Sequence, residues 1–209
     1  MPDNSHQNAS VELLLRRSAE AAVRDWGAVH ARFAARALSH DLVAVAYEDH
    51  ETPLGTMRVS ATNRGIVRMI LPAEDAEEAL QDLARKVSAR ILRTSTPPIT
   101  LTRRQLDEYF DGARHRFNVP LDWMLAQAFR LKVLEATAQI PYGQTATYRH
   151  VASAAGSPNA VRAAGSALAT NPLPVLVPCH RVLRSDGTIG QYRGGSAAKT
   201  QLLTLEQAI

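Results

Sequence analysis

The segment LPVLVPCHRVL, residues 173–183, sets the chain's single cysteine, Cys179, between a proline and a histidine, with Arg181 next in line. A thiol attacks carbon as its thiolate, and a free cysteine is mostly protonated near neutral pH, so a reactive one needs a base or a positive field beside it. His180 is the candidate base and Arg181 the candidate cation. Together they could carry out nucleophilic transfer of a group to sulfur. The same residues also allow an inert reading, in which Cys179 is a small apolar group finishing a buried strand and His180 a buried histidine with its hydrogen bonds satisfied. Adjacent residues on an ideal strand point to opposite faces, so a working Cys-His pair needs a bridging water or a local turn. One cysteine excludes an internal disulfide and a multi-thiolate zinc cluster.

Positioning such a group takes a folded scaffold, and 209 residues with 45% apolar and 21% charged composition can supply one large domain or two small ones. Leu15, Ala19, Ala22, Trp26, Val29 and Phe33 recur at three- and four-residue steps, predicting an amphipathic helix over 10–38. LVAVAY, TMRVSAT and GIVRMIL read as three short strands of an antiparallel meander, separated by TPLG and TNRG turns. Ala76, Leu80, Leu83, Val87 and Ile91 predict a helix over 73–92, which Pro97-Pro98 cannot continue. LTRRQLDEYFDG is a short helix and RFNVPLD an extended exit. From Leu125 onward the texture changes to short helices: AQAFRLKVLEATAQI, TATYRHVASAAG closed by Gly156, and SPNAVRAAGSALATNP. The last is expected to have Ser157 as N-cap and Pro158 at its first position. Two short helices around a glycine turn have the outline of a helix-turn-helix.

The expected organisation is a helical extension over 1–40, an α/β domain over 41–122 and a mostly helical domain over 123–209. No apolar run is long enough to span a bilayer and no leader pattern opens the chain, so a cytoplasmic protein without a membrane partner is expected. The formal charge is +4. Residues 129–209 hold eight basic and three acidic groups, whereas the rest of the chain is near neutral. A basic back half points to an anionic partner, nucleic acid first.

PCHRV, preceded by NPLPVLV and followed by GTIGQYRGG, Lys199 and LLTLE, resembles the active-site segment of the O6-alkylguanine-DNA alkyltransferases, the methylated-DNA-protein-cysteine methyltransferases. IPYGQTATYRHVA and NAVRAAGSALATNP are similar to that family's segments in the same order, and the likeness runs over about residues 41–206. The resemblance implies a ribonuclease-H-like N-terminal domain, a helix-turn-helix C-terminal domain, and single-turnover repair of O6-alkylguanine, with O4-alkylthymine a second substrate. It needs no cofactor or metal. Cys179 would accept the alkyl group, His180 would take the thiol proton through a water, and Glu206 would orient the imidazole. Asn171 would organise the active-site loop, and Tyr148 would push on the target phosphate and donate to the base. The partner would be double-stranded DNA, bound by a monomer from the minor groove, cooperatively or not, with the damaged base flipped out of the stack. Arg162 would fill the vacated space. Small residues around it, Ala160, Ala163, Ala164, Gly165 and Ala167, would let the helix lie close to DNA or, on another face, pack on the protein's own core. The Val182 carbonyl would accept from the guanine amine, Tyr192 would donate to the base or the leaving oxygen, and Pro174, Arg193, Gly194 and Gly195 would border the alkyl pocket.

Three features lie outside the pattern. The N-terminal domain lacks the cysteines of the zinc site some members carry, the helix over 10–38 precedes the usual start, and Arg193 stands where members vary. The competing class is a non-catalytic lesion sensor, which Cys179 argues against. A transcription regulator using the helix-turn-helix is a third and weaker reading.

Overall fold

The computed structural model describes residues 26–209, so Leu15, Ala19 and Ala22 of the expected N-terminal helix lie outside the described residues. The chain divides into two compact units, Met1–Val43 and Ala44–Ile209. In the first, residues 26–39 are helical (α1); Trp26, Val29 and Phe33 of the expected apolar ridge are exposed, while Ala34 and Ala37 are buried.

The second unit begins with β1 (Val45–Thr52), β2 (Gly55–Thr62) and β3 (Gly65–Ile70), the expected antiparallel meander. The sheet has a fourth strand, β4 (Ile91–Arg93), parallel to β1, in the order β3-β2-β1-β4. This corrects the helix expected over 73–92. Helix α2 (Ala76–Lys86), capped by Asp75 accepting from the Glu77 and Glu78 amides, stops at Val87, and Ile91 pairs with Val45. The apolar period of that segment runs on past the helix because Ile91, half-buried, belongs to a strand that pairs with β1.

Helix α3 (Pro97–Phe110) uses Pro97 and Pro98 in its first turn, where a missing N–H costs nothing. It packs Ile99, Leu106 and Tyr109 inward. The extended exit runs along the free edge of β3: Ile66 N donates to Pro120 O and Asp122 N to Ile66 O, both at 2.8 Å. The Met69 amide donates to Pro172 O at 2.8 Å. With its edge covered, β3 is buried at every residue, including Arg68, whose charge is paired with Glu74 and Asp82. The close approach needs Gly65, at φ +142°, since a Cβ there would collide with the Pro120 carbonyl.

Helices α4 (Ala128–Ala138), α5 (Tyr148–Ala154) and α6 (Val161–Ala169) follow, and each packs against the other two. Thr147 caps α5 by accepting from His150 N. Helix α6 begins later than expected: Ala160, not Ser157, is its N-cap, because Ser157–Ala160 closes a separate turn through Ala160 N to Ser157 O at 2.9 Å. The α5–α6 connection turns at Gly156, φ +79°. Leu173–Val177 is not a strand. It is an irregular buried loop with Val175 at φ +73°, and it leads into a single 3-10 turn, Cys179–Arg181. Strand β6 (Val182–Leu183) pairs in parallel with β5 (Ala146–Thr147), and α7 (Gly195–Leu205) ends the unit. Among the described residues no helix is long and apolar enough to cross a membrane.

Candidate active site

The 3-10 turn resolves the difficulty that consecutive strand residues face apart. Its short repeat lets Cys179 and His180 enter one buried region from adjacent positions. Both are sealed, Cys179 at 6% exposure and His180 at 0%. A groove of about 750 Å³ beside α5, bordered by Gln139, Thr147, His150 and Arg184, does not include the thiol.

Asn171, just past the end of α6, ties the thiol to the loop before it. Its Nδ2 donates to Val177 O at 3.0 Å and to Cys179 Sγ at 3.2 Å, and its Oδ1 accepts from Leu173 N at 2.9 Å. Burial pushes the thiol pKa up, opposed by the Asn171 hydrogen bond and the positive charge of Lys199. Lys199 is itself fully buried and donates through Nζ to Val182 O at 2.6 Å, so the carbonyl expected to meet the guanine amine already holds one donor. A carbonyl oxygen has a second lone pair available.

His180 Nε2 lies 3.0 Å from Glu206 Oε1. Arg181 clamps the same carboxylate through Nε to Oε2 at 2.7 Å and Nη2 to Oε1 at 2.8 Å, and its Nη1 donates to Ile140 O. Tyr109, from α3, donates its hydroxyl to Oε1 at 2.6 Å. Burial by itself would raise the Glu206 carboxyl, but the hydrogen bonds from His180, Arg181 and Tyr109 bring it down to about 2. An ionised Glu206 puts the imidazole proton on Nε2. Nδ1 then keeps its lone pair, and no hydrogen-bond partner engages it among the described residues. Burial lowers the His180 pKa, so the ring is neutral at pH 7.

The remaining expected residues fall into three groups. Tyr148 opens α5, with its hydroxyl against Gly190, where a Cβ would strike it; burial and the neighbouring Cys179 raise its pKa. Tyr192 packs edge-on to His180 with ring centroids 6.3 Å apart, and its hydroxyl is buried without a hydrogen-bond partner among the described residues. Pro174 is buried in the loop below the thiol, and Gly194 is pressed between Tyr192 and Leu71. Arg193 is held by an ion pair from Nε to Glu74 Oε2 at 2.6 Å. On α6, Arg162 and Ala163 are exposed, Ala160 and Gly165 half-buried, and Ala164 and Ala167 buried, so the small residues divide between an outward face and the core. The Arg162 guanidinium has no ion pair among the described residues. Sequence reasoning missed Tyr109 and Glu74. Both precede residue 123, and no spacing rule connects them to a cysteine 70 or more residues away.

Known proteins share both halves of this arrangement. Residues 45–123 match the 6-O-methylguanine DNA methyltransferase, ribonuclease-like domain, and residues 128–208 match the 6-O-methylguanine DNA methyltransferase, DNA binding domain. The chain therefore belongs to the 6-O-methylguanine DNA methyltransferase family. The constitutive methylated-DNA–protein-cysteine methyltransferase of Bacillus subtilis is 37% identical over 165 residues, covering 77% of this chain and 94% of that one. The Mus musculus methylated-DNA–protein-cysteine methyltransferase is 31% identical over 177 residues, covering 78% and 81%. The crystal structure of the Mycobacterium tuberculosis O6-methylguanine methyltransferase superposes with a TM-score of 0.66 at 29% identity, covering 78% of this chain and 93% of that one. A structure of the same organism's protein in complex with DNA gives the same TM-score at 28% identity.

Proposed function

We propose that the protein repairs DNA by direct alkyl transfer, with Cys179 as the acceptor for the alkyl group of O6-alkylguanine and of O4-alkylthymine. The observation that carries this reading is the environment of the sulfur. An amide donor from Asn171 meets Sγ, and the next residue is a neutral imidazole with Nε2 tied to an ionised carboxylate and Nδ1 unclaimed. The arrangement follows triad logic, with a base oriented by an acid that sequence places elsewhere.

His180 Nδ1 takes the thiol proton through a water. The thiolate attacks the alkyl carbon in line: the S–C bond forms and the C–O bond breaks with its electron pair staying on the base. The base takes up one proton in exchange for the one the thiol released. Tyr192 donates to the leaving oxygen, and the Val182 carbonyl accepts from the guanine amine. The product is a thioether, and the chain has no second thiol to attack it, so each molecule acts once.

A sealed thiol cannot reach an atom inside a duplex, so the damaged nucleotide must leave the stack. Arg162, exposed on α6 beside Ala163, enters from the minor groove and fills the gap, while Tyr148 bears on the target phosphate. Residues 123–209 carry the DNA contacts and the chemistry, 41–122 brace them, and the protein works as a monomer on DNA in the cytoplasm. Intact-protein mass after incubation with a duplex carrying O6-methylguanine tests the reading. A single methyl on the Cys179 peptide is expected; an unchanged mass with binding retained rejects transfer in favour of lesion sensing.

A further inference from the structure

Glu206 Oε1 accepts three donors: His180 Nε2 at 3.0 Å, Arg181 Nη2 at 2.8 Å and the Tyr109 hydroxyl at 2.6 Å. The shortest of the three comes from α3, in the part of the chain that holds none of the expected chemistry. The Tyr109 side chain is fully buried, and its ring is fixed by Phe110 and Phe117, each with centroids 5.2 Å away, and by Tyr142 at 6.1 Å. Tyr142 is itself anchored through its hydroxyl to Leu205 O, one residue before Glu206. The tyrosine cannot swing away, and its donor cannot be replaced by bulk water.

We propose that Tyr109 is a positioning residue for alkyl transfer: by drawing charge density from the oxygen that also faces His180, its hydroxyl sets the basicity of the imidazole that deprotonates Cys179. The proposal rests on the reading of His180 as the base. Donors on a shared carboxylate oxygen compete for its charge, and the 2.6 Å bond from the Tyr109 hydroxyl to an ionised carboxylate is itself charge-assisted. With Tyr109 present, less negative charge faces the imidazole and its protonated form is less favoured. The other groups facing this pair are Arg181 and Lys199, whose positive charges act on the imidazole in the same direction, together with Tyr142 and Tyr192. None of them makes a hydrogen bond to the carboxylate except Arg181.

Removing the hydroxyl therefore raises the His180 pKa, which a purely structural role would not do. The test is the single-turnover rate of methyl transfer from saturating O6-methylguanine duplex, measured from pH 5 to 9. In Tyr109→Phe the acid limb is expected to move up by roughly half to one unit, slowing transfer about three- to tenfold on the acid side and leaving the alkaline rate unreduced. With 3-fluorotyrosine at position 109, a stronger donor of the same shape, the limb is expected to move down. A loss that is uniform across pH, or an unmoved limb in the fluorotyrosine protein, overturns the proposal. His180→Gln is measured in parallel. Replacement of the imidazole limb by a rate that climbs steadily with pH, as thiol ionisation alone requires, upholds the base assignment whatever Tyr109 does, whereas a limb that persists unchanged overturns that assignment and the proposal with it.

Discussion

The side-chain amide of Asn171 donates to the Cys179 sulfur at 3.2 Å while holding Val177 O and Leu173 N, so one residue fixes both the reactive atom and the loop that carries it. Asn171→Ala leaves buried backbone groups unpaired and is expected to cost about 2–4 kcal/mol by chemical denaturation, along with most of the transfer rate. Asn171→Asp keeps the shape but sets a negative charge beside the thiolate. It should slow transfer more than it reduces stability, and equal losses of both would contradict the role assigned to the amide.

His180 is neutral at pH 7 and the thiol is raised by burial, so the wild-type rate should be nearly flat from pH 7 to 9. In His180→Gln only the spontaneous thiolate reacts. Its rate should climb about tenfold per pH unit across that range. A flat profile in the variant, read by quenched single-turnover kinetics, would show that imidazole is not the base.

The same ionisations govern acid stability. The folded-state pKa values of Glu206, about 2, and His180 both lie below their unfolded values, so the unfolded chain binds more protons as pH falls. The stabilisation is therefore complete above the ordinary imidazole range. It should begin to fall below about pH 6.5 and fall further from about 4.5 towards 2. Urea midpoints should decline as pH falls from 8 to 3 in the wild-type protein and decline less steeply in a His180→Gln protein.

Arg162 has no ion pair among the described residues, and its cost or benefit should be felt only on duplex DNA. Arg162→Ala is expected to slow repair in a duplex by about a hundredfold, the equivalent of a few kcal/mol of unstacking. Alkylation by a free O6-benzylguanine base should be unchanged. Equal losses on both substrates would count against a role in base extrusion.

At Gly194 an added Cβ would sit 2.9 Å from Tyr192 Cε1 and 3.0 Å from Leu71 Cδ1, tighter than side chains tolerate. Gly194→Ala should displace the Tyr192 ring and reduce transfer of benzyl far more than of methyl. Competition between the two oligonucleotides, scored by mass, measures the ratio.

Much of the C-terminal half was legible in sequence because its informative residues are close together. PCHRV, the glycine at 156 and the Pro141-Tyr142-Gly143 stop after the helix at 126–140 are local patterns that need few long-range contacts to be interpreted. The misreadings occur where tertiary packing overrode local signals. Ile91 continued a helical period yet pairs with β1, and Ser157 and Pro158 had the chemistry of a helix start but belong to the turn before it. Leu173–Val177 had the composition of a strand, yet it has no sheet edge to join and bends through Val175 instead.

The order of residues alone determined that one thiol stands beside a histidine, that no second thiol exists, and that the basic charge gathers in the back half. Only the tertiary structure decided which atom of His180 is available, because that depends on a carboxylate brought to Nε2 from the end of α7. It also decided that Tyr109 and Glu74, from the segment before residue 123, grip the site. Hydrogen bonds act over about 3 Å whatever the separation in sequence, so these partners become visible only after the chain has folded.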